Sequence, residues 1–203
     1  MYVSVVINVK KFVDRRIFIE NQLQSFGLQA EFILDGDIDD LNDQIREEFF
    51  PPSNMTPAQQ SCAYKHILVL QKIVENNSLS SLVLEDDAVF AKNFHEGVER
   101  VLNQKDEFKG NKVIYIGSGG NFFTPKSQRK PDQYLYLGHR GRFTDSYIID
   151  ADTAKKRLQW IQHNKVIKPI DNLFDEMDNE LNIQILWLED PVVEQGSKNG
   201  LFH

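Results

Sequence analysis

Apolar and polar positions along the chain follow two alternating patterns. Short apolar runs, typical of strands in a sheet, cover residues 3–9, 30–34, 82–84, 113–116, 134–137, 146–149 and 183–188. Between them, apolar residues recur at spacings of three and four, which predicts helices over residues 14–26, 94–102, 152–162 and 170–181. Strands that alternate with helices indicate an α/β fold. We therefore predict a single domain over residues 1–203 with a mixed central sheet.

One further helix has a clear start signal at Pro57. Thr56 suits the N-cap, Pro57 suits the first helical position, and Gln59 completes a capping box with Thr56. The apolar positions that follow at spacings of four and three are Ala63, Ile67, Leu70 and Val74. Asn76 and Asn77 end the pattern, and the strand over residues 82–84 follows directly. This helix and strand are predicted to form one packed unit.

Three consecutive acids, Glu85, Asp86 and Asp87, follow the strand over residues 82–84. Side chains alternate along a strand, so Glu85 and Asp87 are expected on one side, where they repel each other unless a cation lies between them. Oxygen ligands of this kind suit Mg²⁺ or Mn²⁺, which in turn bind phosphates. The alternative is a solvated turn, but the apolar run over residues 88–90 holds the acids between buried segments. We predict a divalent-metal site for a phosphorylated or nucleotide-linked substrate.

Composition narrows the class of protein. The chain has 203 residues and a formal net charge of −7, with no long basic run, which argues against nucleic acid as the main partner. Cys62 is the single cysteine, so no intrachain disulfide forms, as suits a reducing compartment. The first residues lack the basic region of a signal peptide, and no apolar run reaches the roughly 20 residues of a membrane helix. We expect a cytoplasmic location with at most peripheral membrane contact.

A glycine-rich segment follows the strand over residues 113–116. Gly117, Gly119 and Gly120 begin a polar stretch that extends to Asp132. No helix signal and no Gly-Lys-Ser/Thr follow, so the segment is not a P-loop. Its length and composition predict a mobile loop that closes over a bound ligand.

Five segments form a further pattern in chain order. They are Val6-Ile7-Asn8-Val9 with Asp14-Arg15-Arg16, Leu34-Asp35-Gly36, residues 55–66, Leu84-Glu85-Asp86-Asp87-Ala88, and Lys168-Pro169-Ile170-Asp171 with residues 191–197. Their order and spacing resemble glycosyltransferase family 25, the lipooligosaccharide galactosyltransferase-like family. The chain departs from the family pattern at Gln59, Ser61 and Lys65, where the family has Glu, Gly and Ser.

The resemblance implies a GT-A, Rossmann-like fold and an inverting transfer that depends on Mn²⁺ or Mg²⁺. The donor it implies is a UDP-hexose, with galactose favoured over glucose. The acceptor it implies is a lipid-linked oligosaccharide of the lipooligosaccharide or lipopolysaccharide type. The corresponding location is the cytoplasm, at the inner face of the bacterial inner membrane.

The resemblance also implies roles for individual residues. The donor-binding set is Asn8, Arg15, Arg16, Asp35, Gly36, Lys65, His66, Glu85 and Asp86. The metal ligands are Asp87, as the leading ligand, and Glu85. The alternative for one of the two arginines is a solvated helix residue, and the alternative for His66 is a packed core histidine.

Asp171 is the candidate general base, because Pro169 constrains the chain just before it. A helix N-cap is the structural alternative for Asp171, and Asp145 is the rival base. Two other functions stay open at this point. A metal-dependent phosphohydrolase also uses clustered carboxylates, and the departures at Gln59, Ser61 and Lys65 fit a non-catalytic nucleotide-sugar-binding module.

Overall fold

The computed structural model describes residues 2–202. The strands are β1 (Val3–Ile7), β2 (Ala30–Ile33), β3 (Ser81–Glu85), β4 (Ala88–Phe90), β5 (Lys112–Tyr115), β6 (Leu135–Leu137), β7 (Ser146–Ile149), β8 (Gln184–Leu188) and β9 (Val193–Gln195). The α-helices are α1 (Val13–Ser25), α2 (Asp43–Phe49), α3 (Pro57–Glu75), α4 (Phe94–Gln104), α5 (Ala151–Asn164) and α6 (Ile170–Glu180). Short 3-10 turns lie between some of these elements.

The main sheet has seven strands in the order β2-β1-β3-β7-β5-β8-β6. β1 runs parallel to β2 and β3, whereas β7 runs antiparallel to both β3 and β5. β8 is parallel to β5, and the edge strand β6 is antiparallel to β8. β4 and β9 form a separate antiparallel pair. The predicted α/β fold with a mixed central sheet is confirmed.

Helices cover both faces of the sheet. One hydrophobic cluster packs α3, α5 and α6 against inward side chains that include Val5 and Val83. The other packs α1 and α4 against the opposite face, which includes Val6 and Leu84. Because side chains alternate along each strand, consecutive apolar residues feed the two clusters in turn. A strand that is apolar on both faces is therefore the expected form for β1 and β3.

The start of α3 matches its sequence signal. The Thr56 N–H donates to Gln59 Oε1 at 2.9 Å, and the Gln59 N–H donates to Thr56 Oγ1 at 3.2 Å. This reciprocal pair satisfies two backbone donors that the first turn would otherwise leave unpaired. The cap thus fixes where the helix begins and which of its residues face the sheet.

One edge of the main sheet gathers polar residues from three strands. β1 and β3 are parallel neighbours, and Ile7 pairs with Glu85, so Asn8 and the acidic tripeptide leave the sheet side by side. β7 starts at the same edge in the opposite direction. There the Glu85 N–H donates to the Asp145 carbonyl at 2.9 Å. Ligands of open α/β sheets bind outside the carboxyl ends of the parallel strands, which makes this edge the place to look for a site.

None of the helices within residues 2–202 has both the length and the apolar composition needed to cross a bilayer.

Candidate functional site

Asp86 connects β3 to β1 and α1. Its Oδ2 accepts from Asn8 Nδ2 at 2.8 Å and from the Val9 N–H at 3.2 Å, and its Oδ1 lies 3.5 Å from Arg15 Nη1. Burial nevertheless raises the pKa of Asp86 above its usual value. These contacts end β1 at Ile7, before the predicted boundary at residue 9, because Asn8 and Val9 turn towards Asp86.

Glu85 points to a different set of partners. Its Oε1 accepts from Thr144 Oγ1 at 2.8 Å and lies 3.3 Å from His66 Nε2, while His66 Nδ1 lies 3.1 Å from the Tyr147 hydroxyl. Burial opposes ionisation of Glu85, but the bonds from His66 and Thr144 outweigh it and lower the pKa of Glu85. Glu85 is therefore held as a carboxylate between α3 and the segment that leads into β7.

Thr144 links Glu85 to Asp171. The Thr144 hydroxyl lies 2.8 Å from Glu85 Oε1 and 2.8 Å from Asp171 Oδ1, yet it carries one proton. The hydroxyl can donate to only one of these two oxygens at a time. A hydrogen bond to the second oxygen therefore requires a proton on that carboxyl group. Burial, and then the charge of Glu85, raise the pKa of Asp171 against the bond from Thr144. Asp171 therefore has the pKa that is raised and Glu85 the pKa that is lowered, so Asp171 is the first of the two to take up a proton as pH falls.

Asp171 is not a helix N-cap. Pro169 occupies the cap of α6, Asp171 lies in the first turn, and no side chain caps this helix. The Asp171 carboxylate turns to Thr144 instead. The alternative that Asp171 caps the helix is therefore wrong, and its carboxylate is not used to cap α6.

Asp87 faces the C-terminal segment. Its Oδ2 accepts from the Ser197 N–H at 3.3 Å, and its backbone carbonyl accepts from the Gly196 N–H at 2.7 Å. Burial is the main cause that raises the pKa of Asp87, and the charge of Glu85 adds to it. β9, which sequence reasoning missed, positions this segment because it pairs with β4 immediately after Asp87.

The same edge carries buried oxygen atoms that lack donors. Within residues 2–202, Asp87 Oδ1, Asp145 Oδ1 and Gln195 Oε1 accept no hydrogen bond. Asn8 Oδ1, beside Asp86, is a fourth such oxygen. Buried acceptors are normally paired, so four at one edge suit a positively charged partner. Two carboxylates and an amide oxygen are ligands that suit Mg²⁺ or Mn²⁺. These residue types fit a hard divalent cation of the kind that the sequence predicts.

Asp145 is the most perturbed carboxyl group of the edge. Burial, followed by the charge of Glu85, raises its pKa to about 8, while the bond that Ser146 Oγ donates to Oδ2 at 2.8 Å opposes the shift. In the unfolded chain an aspartate titrates near about 3.9. Between these values the folded state holds a proton that the unfolded state lacks, so ionisation of Asp145 as pH rises lowers the free energy of unfolding.

We expect Asp145→Asn to remove this loss when divalent ions are chelated. Each pKa unit is worth about 1.4 kcal/mol, so the wild-type protein should lose several kcal/mol more than the variant between about pH 4 and pH 8. Urea unfolding across this range measures the difference. Asp132→Asn is the control, because Asp132 is exposed and has a φ of 60°, which asparagine also adopts. Equal pH dependence in the wild-type protein and Asp145→Asn would contradict the assignment.

Two cavities open at this edge. The larger, of about 500 Å³, is lined by residues that include Arg15, Lys10, Lys11 and Asp86. The smaller, of about 290 Å³, is lined by residues that include Asp171, Thr144, Phe143, Gln195 and Lys198. Cys62 and Glu85 line both, so the two cavities meet at these side chains. The rival base Asp145 is not among the residues that line either cavity.

Some of the remaining residues that were predicted to bind the donor have structural contacts instead, and others are exposed to solvent. Lys65 is buried, and its ammonium group bonds to the carbonyls of Asn8, Leu34 and Asp35 at 2.9–3.0 Å and pairs with Asp37 at 2.9 Å. An ammonium group has three donors, so none is left for a phosphate. Lys65 lines the larger cavity, but its contacts are those of a support for the loops after β1 and β2.

Gly36 and Ser61 fix the approach of α3 to the loop after β2. Gly36 has a φ of 89°, and a Cβ on it would lie 2.9 Å from the Tyr64 ring. The Ser61 hydroxyl donates to the Gly36 carbonyl at 2.7 Å. By contrast, Asp35 has a side chain that is 88% exposed. Arg16 is also turned to solvent, where it pairs with Glu20 at 2.9 Å, so of the two arginines only Arg15 faces the larger cavity.

Sequence reasoning did not select Thr144, Cys62, Gln195 or Lys198 as site residues. The Cys62/His66 spacing on α3 was the one local signal, since residues four apart share a helix face. Lys198 lies with Nζ 3.3 Å from the centre of the Phe143 ring. Only the pairing of β9 with β4 brings Gln195 and Lys198 beside the acidic tripeptide.

Comparisons with known proteins identify a family. Residues 1–174 match the family described as Glycosyltransferase family 25 (LPS biosynthesis protein). A "Glycosyltransferase 25 family member" of Aedes aegypti is 27% identical over 184 residues, which cover 85% of this chain and 30% of that protein. A protein of the same name from Drosophila pseudoobscura pseudoobscura is 27% identical over 194 residues, covering 86% and 30%. The chain thus spans about 30% of the length of these curated relatives.

The chain also aligns with solved structures at low sequence identity. The apo form of mouse xyloside xylosyltransferase 1 has a TM-score of 0.48 and 10% sequence identity, with 91% of this chain and 84% of that chain covered.

Proposed function

The chain belongs to glycosyltransferase family 25, and from this membership we propose that it transfers a hexose from a UDP-sugar to a glycan with inversion at the anomeric carbon. The observation that supports this most directly is the pair of cavities that meet at Cys62 and Glu85. A transferase must hold donor and acceptor side by side, and two adjoining cavities meet this need. We assign the larger cavity to the donor and the smaller to the acceptor.

The larger cavity suits a nucleoside diphosphate in size, and its cationic side chains stand in a lining that also contains acids at Asp37, Asp39, Asp40, Glu85 and Asp86. Its cationic residues include Arg15, Lys10 and Lys11. Arg15 Nη1 lies 3.5 Å from Asp86 Oδ1, which is a long distance for an ion pair. Lys10 pairs with Asp40 at 2.9 Å at the exposed rim. In this assignment Arg15 and Lys11 contact the diphosphate, and Asn8 and Asp86 hold the end of β1 beneath it.

Asp87, Asp145 and Gln195 are the residues that would hold Mn²⁺ or Mg²⁺. Their buried oxygens without donors support this assignment. Such an ion, when bound, would offset the charge that develops on the departing diphosphate. Of the three residues, Gln195 lines a cavity, the smaller one, which meets the donor cavity at Cys62 and Glu85. Glu85, predicted earlier as a second ligand, instead bonds to Thr144 and faces His66, so we assign it to the boundary between the cavities.

Asp171 is the proposed general base. The acceptor oxygen forms a bond to the anomeric carbon as the bond from that carbon to the phosphate oxygen breaks, and the hydroxyl proton passes to the Asp171 carboxylate. Asp171 lines the smaller cavity and is fixed by Thr144. Its raised pKa makes it a stronger base, and the rate falls as pH decreases through that pKa, because the protonated carboxyl cannot accept a proton.

For the substrates, we propose galactose in preference to glucose, and a lipid-linked oligosaccharide of the lipooligosaccharide type as acceptor. The family description, which names LPS biosynthesis, supports this acceptor class. The reaction would then take place at the cytoplasmic face of a membrane. The protein would contact that face peripherally.

A panel of donors tests the proposal. UDP-galactose, UDP-glucose and the free sugars are each added with Mn²⁺ or with a chelator, and both thermal stability and UDP release are measured. A true donor stabilises the protein by RT ln(1 + [L]/Kd). It releases UDP slowly when the sugar passes to water and faster when a glycan acceptor is present. Release of inorganic phosphate would indicate a phosphohydrolase. Stabilisation with no release under any condition would indicate a binding module, and either result would overturn the transferase.

A further inference from the structure

Cys62, His66 and Glu85 bring a sulfur, a nitrogen and an oxygen atom together. One potential ligand atom of each lies within 4.8 Å of the other two. We propose that these residues form a second metal site, selective for Zn²⁺ and separate from the oxygen-lined site at Asp87. The family resemblance assigns His66 to the donor and gives Cys62 no role, and the only metal it predicts, like the acidic tripeptide, is a hard cation held by carboxylates.

The backbone already places the three ligands for one ion. Cys62 and His66 are four residues apart on α3 and therefore lie on one helix face. Glu85 ends β3 opposite that face, with Oε1 3.3 Å from His66 Nε2. Zinc binds sulfur at about 2.3 Å and nitrogen or oxygen at about 2.0–2.2 Å, so tetrahedral ligand atoms are about 3–4 Å apart. Small side-chain rotations within the observed 4.8 Å spacing reach this geometry.

Outer contacts orient two of the ligands. His66 is buried, and its Nδ1 lies 3.1 Å from the Tyr147 hydroxyl, a partner that can accept the Nδ1 proton and leave Nε2 for the ion. Thr144 holds the Glu85 carboxylate at 2.8 Å. Hydrogen bonds of this kind, from the ring nitrogen that does not bind the metal, are the usual support of zinc ligands.

The charge and softness of the donors favour zinc. Burial, and then the charges of Glu85 and Asp171, disfavour a bare thiolate at Cys62. A divalent cation reverses that balance, because it replaces the thiol proton, which leaves to solvent, and forms a metal–sulfur bond. Thiolate and imidazole ligands select zinc over manganese, whereas the oxygens at Asp87, Asp145 and Gln195 suit manganese.

The position of the site gives it a consequence. Cys62 and Glu85 line both cavities, so an ion held by three protein ligands has its fourth position open to the substrates. Zinc should therefore inhibit sugar transfer. This consequence rests on the proposed transferase function, whereas zinc binding does not.

Cobalt provides a spectroscopic test on the full chain. Co²⁺ added to the wild-type protein should produce the near-ultraviolet charge-transfer band of a thiolate–cobalt bond, and equimolar Zn²⁺ should remove it. Cys62→Ser should abolish the band and weaken Zn²⁺ binding in equilibrium dialysis by at least about tenfold. His163→Asn, on an exposed face of α5, is the matched control and should change neither. Asp87→Asn should keep the band, because its carboxylate belongs to the other site.

The single cysteine allows a test without substitutions. Iodoacetamide labelling of Cys62, read by mass spectrometry, should be slowed at least several-fold by Zn²⁺ and not by Mn²⁺. No cobalt band in the wild-type protein, or Zn²⁺ binding that survives Cys62→Ser undiminished, would overturn the site. Zinc binding in a protein that transfers no sugar would refute the proposed function alone.

Discussion

Asp171→Asn should lower the rate of sugar transfer by about two to four orders of magnitude, the usual contribution of a positioned general base. Asparagine has nearly the same shape, and its side-chain amide can still hydrogen-bond to the Thr144 hydroxyl, which lies 2.8 Å from Asp171 Oδ1. It cannot accept a proton from the acceptor hydroxyl. The dissociation constant of the UDP-sugar should stay unchanged, because the interaction is made in the transition state and not with the bound donor.

The measurement combines transfer rates with donor titration by calorimetry. Asp145→Asn is the informative comparison, since Asp145 is both the rival base and a proposed metal ligand. It should raise the Mn²⁺ concentration needed for half-maximal rate, whereas Asp171→Asn should leave that concentration unchanged. If Asp171→Asn transfers sugar at the wild-type rate, Asp171 is not the base and Asp145 is the next residue to assign.

Asp87→Ala is expected to reduce turnover by about two to three orders of magnitude, the scale of losing a key electrostatic stabiliser. The change removes one of the buried oxygens at this edge that lack donors. The backbone carbonyl of Asp87 remains and still accepts from the Gly196 N–H. The fold should therefore be retained, with Mn²⁺ affinity lowered.

Electron paramagnetic resonance of Mn²⁺ measures this affinity directly, alongside the rate of transfer. Glu194→Ala is the matched control, because Glu194 is an exposed acid on β9 next to Gln195. It removes the same charge near the site without removing a buried oxygen. Mn²⁺-dependent turnover that is unchanged in Asp87→Ala would exclude Asp87 as a ligand.

The contacts of residues 117–132 could not be predicted from local sequence patterns. Glycines and polar residues predicted a mobile loop, and no local signal indicated what holds it. In the structure Arg129 bonds to Glu189 at 2.8 Å and to Asp190 at 2.7 Å, and Phe122 stacks on Trp187 with ring centres 6.3 Å apart. These partners are about 60 residues away in sequence, so composition cannot report them.

The acidic tripeptide shows the same division. Its place at a buried strand end was predictable from a few neighbouring residues, and so was the metal chemistry that carboxylates favour. The pattern also predicted that Glu85 and Asp87 act together. The structure gives them separate partners, since Glu85 turns to Thr144 and His66 whereas Asp87 turns to Ser197.

The sequence by itself determined the α/β class, the start of α3 and the strand that carries the acids. These features depend on interactions between residues that are close in sequence, such as the cap formed by Thr56 and Gln59. The local sequence therefore contains the information that sets them. The contacts of Lys65 and Gln195 follow only from the tertiary structure. The Lys65 ammonium group bonds to loop carbonyls and pairs with Asp37, and Gln195 lies at the acidic edge. The reason is physical: the partner of a buried polar group is set by strand order and packing, which bring distant segments together.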